Sequence, residues 1–138
     1  MKKFKFLEHT ADVKFQAFGK TQAQLFRNSF LAMKKIILGR TGIEGRIKKE
    51  IKILGMDLNN LLYNFLEEFL YFLEVEDLVV SKVEKIKIDK QNFKLTAVVV
   101  GDNAKNYKIT KHIKAITYSQ MFIKKINSQW VCQVVMDV

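Results

Sequence analysis

The chain has 138 residues, 49% of them hydrophobic and 28% charged, with 24 Lys and Arg against 14 Asp and Glu for a formal net charge of +10. That length suits one domain, residues 1–138, burying roughly two-thirds of the surface its unfolded form exposes, and the apolar share excludes a disordered tail. A basic balance favours polyanionic partners, RNA or an RNA-bound protein first, yet the lysines are spread through "KKFK", "GRIKKEIK", "KVEKIKIDK" and "KITKHIK", as solvated strand faces also are.

The apolar stretch "LLYNFLEEFLYFLEVEDLVV" is broken by Asn64, Glu67, Glu68 and Glu74, well short of the roughly 20 apolar residues of a membrane span. "MKKFKFLEH" lacks the apolar centre of a signal peptide. The expectation is a cytoplasmic protein without a membrane partner. Cys132 has no second cysteine to pair with, and its place in the alternating "WVCQVVMDV" predicts a small core side chain rather than a nucleophile.

In chain order, "KFKFLEH" and "DVKFQAFG" alternate apolar and polar residues and predict two short strands joined near Glu8 to Asp12. Thr21 is placed to cap a helix from Gln22 to Leu38, whose Leu25, Phe26, Phe30, Met33, Ile36 and Ile37 recur at three- and four-residue spacing and which Gly39 can close. "GRTGIEGR" lacks the Gly-Lys-Ser/Thr ending of a phosphate loop and follows a helix, so it predicts a flexible connector. "IKKEIKILG" predicts a strand. Asp57 then caps a second helix through about Leu73, so apolar that it must be the central packing element or keep part of its surface for a partner.

From Leu78 onward "LVVSKVEKIKID", "NFKLTAVVVGD", "IKAITYSQMFIKK" and "QWVCQVVMDV" predict four strands, the first pair turning through "KQN" and the last through "INS". The fold class is therefore α+β: two amphipathic helices packed on a mainly antiparallel β-sheet system. Sheet order is left open by the pattern.

Catalytic signatures are sparse. His9 and His112 are the only histidines, and no HExxH, GxSxG, CxxC, Walker or Rossmann pattern is present. Asp12 opens a strand and Asp137 ends one, with Val138 behind it. Should those strand ends meet, two carboxylates and the main-chain oxygens of Val138 would crowd, an all-oxygen set suited to a hard cation. An ordinary turn aspartate is the plainer reading of Asp12. Three functional readings remain open on the residues alone: a metal-assisted hydrolase using Asp12, His9 and Asp137, a direct basic RNA-binding module, and an adaptor with no activity of its own.

The stretches "FLEHTADVKFQAFGKTQAQLFRNSFLAM", "DLNNLLYNFLEEFLYFLE", "IKAITYS" and "WVCQVVMDV", in this order and spacing, resemble the archease family over essentially the whole chain. The resemblance implies a small α+β protein that is not an enzyme but an activator of an RtcB-type RNA ligase in tRNA splicing and RNA repair, promoting GTP-dependent guanylylation of the ligase and its multiple turnover. It implies a divalent cation, Ca²⁺ first and Mg²⁺ or Mn²⁺ as alternatives, held by Asp12, Asp137 and Val138, with His9 and Glu8 in support. It also implies, for some members, a chaperone-like action on a tRNA cytosine methyltransferase, with tRNA met only indirectly or weakly. One position departs from the family pattern: archeases commonly carry His after the "TY" of the late strand, where this chain has Ser119.

Overall fold

Alternation and helical spacing each act where they dominate. The computed structural model of the protein, which describes residues 2–9 and 11–138, contains strands β1 (Phe4–Leu7) and β2 (Val13–Gly19), helix α1 (Gln22–Leu38), strand β3 (Ile47–Leu54), helix α2 (Leu58–Val75), strands β4 (Leu78–Asp89) and β5 (Lys94–Asn103), a 3-10 turn at Ala104–Asn106, and strands β6 (Ala115–Ile126) and β7 (Gln129–Asp137). Thr21 caps α1 by accepting from the Gln24 N–H, and the Asp57 carboxylate caps α2 by accepting from the Asn60 N–H. α2 runs to Val75, two residues past Leu73. The charged Glu74 does not end it, because a single exposed acid costs a helix little.

The strands form two antiparallel sheets, one ordered β1-β2-β7-β6 and the other β3-β5-β4. β4 and β5 are a hairpin, as are β6 and β7, but the two hairpins belong to different sheets. The turn between β6 and β7 is Asn127 and Ser128, both at positive φ, the geometry that matches the twist of a two-residue hairpin.

"IKAITYSQMFIKK" forms one strand, as expected, but with a bulge in it. The β6–β7 pairing jumps from Thr117↔Val135 to Phe122↔Gln133, leaving Tyr118 to Met121 outside the ladder, with Gln120 at φ 56°. Side chains hold this bulge. The Gln133 amide donates to the Gln120 carbonyl at 2.9 Å, and the Lys14 ammonium to the Gln120 side-chain oxygen at 2.9 Å.

The core lies where helices meet strands. Phe15 and Ala17 of β2 face Val134 and Cys132 of β7 by register, and all four are fully buried. The helices meet through aromatic rings one turn apart on each: Phe26 lies 5.7 Å from Phe65, and Phe30 4.6 Å from Phe69. Such pairs contribute beyond the area they bury.

The connector after α1 is pinned rather than flexible. Tyr107 Oη accepts from the Glu44 N–H, Ser81 Oγ donates to the Ile43 carbonyl, and Arg46 pairs with the buried Asp102 at 2.9 Å. Its glycines gave a loop signal, but its hydrogen-bonding partners lie 38 to 63 residues away.

Candidate metal centre

The β2–β7 ladder ends with the pair Val13↔Met136. The residues next beyond that pair are Asp12, in the bend that leads into β2, and Asp137, the last residue of β7. The strand ends that sequence alone left 125 positions apart are therefore neighbours. β6 closes the other side: Ala115 pairs with Asp137, and the Lys114 N–H donates to the Asp137 carbonyl at 2.8 Å. That bond secures the backbone at Asp137 while its side chain stays exposed.

Asp12 is half-buried, and His9 Nδ1 lies 3.3 Å from its Oδ2. Among the described residues this buried imidazole nitrogen has no hydrogen-bond partner. Among the described residues, no Lys or Arg pairs with either carboxylate. Thr10, inside the "EHTAD" motif, lies outside the described residues.

Asp12, Glu8 and His9 line an open cleft of about 680 Å³ together with Lys35, Ile36, Thr110 and Lys111. Asp137 and Val138 stand beside this cleft by register and do not line it. The far wall is placed by hydrogen bonds from the Thr110 and Lys111 N–H groups to the Ile37 carbonyl near the end of α1, at 2.7 and 3.4 Å. Lys35 and Lys111 were not singled out in the sequence, since only the docking of the 107–114 segment on α1 brings them to Asp12. His112 is exposed and does not line the cleft.

Among the described residues, no three His, Cys, Asp or Glu side chains gather as a metal-holding group. The donors the cleft offers are the Asp12 and Glu8 carboxylates and the His9 imidazole, with Asp137 and the main-chain oxygens of Val138 beyond the ladder end. Acids without a Lys or Arg partner fit a hard divalent cation that water completes. Cys132 is remote from such chemistry: it is fully buried, its Sγ lies 3.2 Å from Ser29 Oγ, and burial pushes its thiol up to about 11.

Residues 4–138 match the archease protein family (MTH1598/TM1083). The chain belongs to the archease family. Relatives named protein archease are 38% identical in Methanosarcina barkeri, over 99% of this chain and 97% of that one, and 33% identical in Pyrococcus abyssi, over the full length of both. The solution structure of Methanobacterium thermoautotrophicum protein 1598 superposes with a TM-score of 0.85 at 28% identity over 100% of each chain. The crystal structure of an archease, possible chaperone, from Thermotoga maritima shares the fold at a TM-score of 0.61 and 20% identity, over 96% of this chain and 94% of that one. The archease fold thus includes both sheets and the β2–β7 ladder at whose end Asp12 and Asp137 sit. Among the described residues, no helix is long and apolar enough to cross a membrane.

Proposed function

We propose that this protein activates an RtcB-type RNA ligase in tRNA splicing and RNA repair, promoting GTP-dependent guanylylation of the ligase and its multiple turnover, and catalyses no ligation itself. The observation that supports the reading is that Asp12 and Asp137 are the residues just beyond the last β2–β7 pair, Val13↔Met136, with no Lys or Arg partner among the described residues. A divalent cation, Ca²⁺ first and Mg²⁺ or Mn²⁺ otherwise, would be held there by Asp12, Asp137 and the main-chain oxygens of Val138, with His9 and Glu8 nearby. When bound it supplies positive charge that offsets charge on phosphoryl oxygens.

The protein's own residues do the rest. His9 restricts the Asp12 carboxylate from one side, the Lys114-to-Asp137 backbone bond restrains the other strand, and Lys35 and Lys111 give the cleft the charge that attracts phosphates. The action is placed in the cytoplasm, with the ligase as direct partner and tRNA met indirectly or weakly.

The test is a stalled ligase supplied with GTP and a divalent cation. Adding this protein is expected to restore turnover, and Asp12→Ala and Asp137→Ala to abolish the effect. Full stimulation by a folded double variant would sink the reading. A second reading, a chaperone-like modulator of a tRNA cytosine methyltransferase, is supported by the description of the Thermotoga maritima neighbour as a possible chaperone. It predicts protection of such an enzyme from aggregation that survives both substitutions.

A further inference from the structure

Charge along this chain is segregated. The stretch Asp57–Asp77 holds six of the 14 acidic residues and none of the 24 Lys and Arg, so the remaining residues carry 24 basic against 8 acidic groups. α2 occupies nearly all of that stretch. Its inner face is spent on Leu61, Leu62, Phe65, Leu66, Phe69, Leu70 and Phe72. Its outer face presents Tyr63, Glu67, Tyr71, Glu74 and Val75 at three- and four-residue spacing, one continuous stripe.

Three features make this stripe unlike a solvated helix face. First, Tyr71 is 48% and Val75 62% exposed, where a helix without a partner would carry charge. Second, Tyr118, thrown out by the β6 bulge, stacks on Tyr63 at 4.3 Å and 8°, and its hydroxyl accepts from the Asn60 amide at 2.7 Å. This fixes an aromatic platform at one end of the stripe. Third, Glu76 and Asp77 have lysine partners, Lys49 and Lys105, whereas no Lys or Arg among the described residues pairs with Glu67, Glu68 or Glu74. Burial, then Glu76 and Glu67, push the Glu68 carboxyl above its ordinary range, and burial first, then Glu67, raises the Tyr63 hydroxyl. A groove of about 350 Å³ runs beside the stripe, lined by Leu54, Asn64, Glu67, Glu68 and Tyr71 and by Lys52, whose ammonium pairs with Glu50 at 3.6 Å.

We propose that the α2 stripe of Tyr63, Glu67, Tyr71 and Glu74, with Tyr118, docks an arginine-bearing segment of another protein. A guanidinium is planar, stacks on tyrosine faces and meets carboxylates in a fork, so one side-chain type satisfies both the aromatic and the acidic members of the stripe. Nucleic acid is excluded from this face by like charge and belongs, if anywhere, on the basic remainder. A second copy of the chain is a poor occupant. It has three arginines, of which Arg27 is bonded to the Val83 carbonyl and Arg46 to Asp102, leaving Arg40. The stripe shares no residue with the Asp12 cleft, so the proposal stands apart from the function proposed above.

The experiment is an amide NMR titration of the full chain with an amidated peptide of repeated Gly-Arg-Arg, and with its Gly-Lys-Lys counterpart. Expected are shifts centred on residues 60–75 and Tyr118, and a loss of about tenfold in affinity in E67Q/E74Q, the size of two exposed charge pairs. Tyr71→Ala is expected to weaken the arginine peptide more than the lysine peptide, while D12A/D137A leaves both unchanged. Shifts centred elsewhere, no shifts, or unchanged affinity in E67Q/E74Q, a surface pair that leaves the core intact, overturn the proposal. Equal loss of both peptides in Tyr71→Ala overturns its arginine specificity. Sedimentation showing a dimer that E67Q/E74Q dissolves would assign the stripe to self-association instead.

Discussion

Val13 and Met136 are the last paired residues of the β2–β7 ladder, and the residues just beyond them are Asp12 and Asp137. A cation bound between those carboxylates stabilises the folded chain alone, because the unfolded chain does not hold the two ends together. At 100 times its dissociation constant the gain is about 2.7 kcal/mol. Calcium is therefore expected to raise the thermal midpoint of the native protein, and to do so neither for D12A/D137A nor after chelation. A midpoint in the native protein indifferent to calcium, magnesium and manganese would remove the site.

Cys132 and Ser29 meet across the core, Sγ to Oγ at 3.2 Å. With its thiol pushed up to about 11 by burial, Cys132 carries almost no thiolate at pH 8, and thiolate is the reactive form. Labelling with a thiol reagent is expected only as fast as the protein opens globally, and to accelerate in urea in step with loss of helix signal. Rapid labelling of the folded chain would contradict the core assignment.

Gly101 sits opposite Val80 in the β4–β5 ladder, where an added Cβ would lie 2.1 Å from the Val79 carbonyl oxygen. The obstacle is backbone and cannot rotate away. Gly101→Ala is expected to cost about 1–3 kcal/mol, read as a lower urea midpoint with unchanged slope. Gly42, with open space around it, is the control, and Gly42→Ala should shift the midpoint little.

Asp102 is buried where the Tyr107 hydroxyl, the Asn103 N–H and the Arg46 guanidinium converge on it. These partners hold its carboxyl below the ordinary value of 3.8, the Tyr107 hydrogen bond being the largest cause. The folded chain then binds this proton more weakly than the unfolded chain, so the stabilisation is complete above 3.8 and is lost as pH falls through the lowered folded value. Asp102→Asn is expected to lower the denaturation midpoint at neutral pH and to flatten its fall in acid. An acid limb of the same steepness in the variant would show that other carboxylates govern it.

Much of this was legible locally. The caps Thr21 and Asp57 and the apolar spacing of Phe26, Phe30, Phe65 and Phe69 set both helices, because an N-cap and a buried stripe act within a few residues. The β6 bulge was not legible: nothing near Gln120 marks it, and its partners Lys14 and Gln133 lie on two other strands. The pinned connector was missed for the same reason, since its glycines read as freedom while its partners are remote.

Of the candidate site, Asp12 and Asp137 were named from their places at strand ends and from the archease motifs. Sequence by itself determined the element types, the family and the identity of these acids, because periodicity, capping and motif are short-range properties of the chain. Only the tertiary structure decided that β2 pairs with β7 in the register that ends at Val13 and Met136, that Lys35 and Lys111 share a cleft with Asp12, and that α2 keeps an acidic aromatic stripe outward. Strand register and helix docking depend on side chains far apart in sequence, and no local pattern encodes which of them meet.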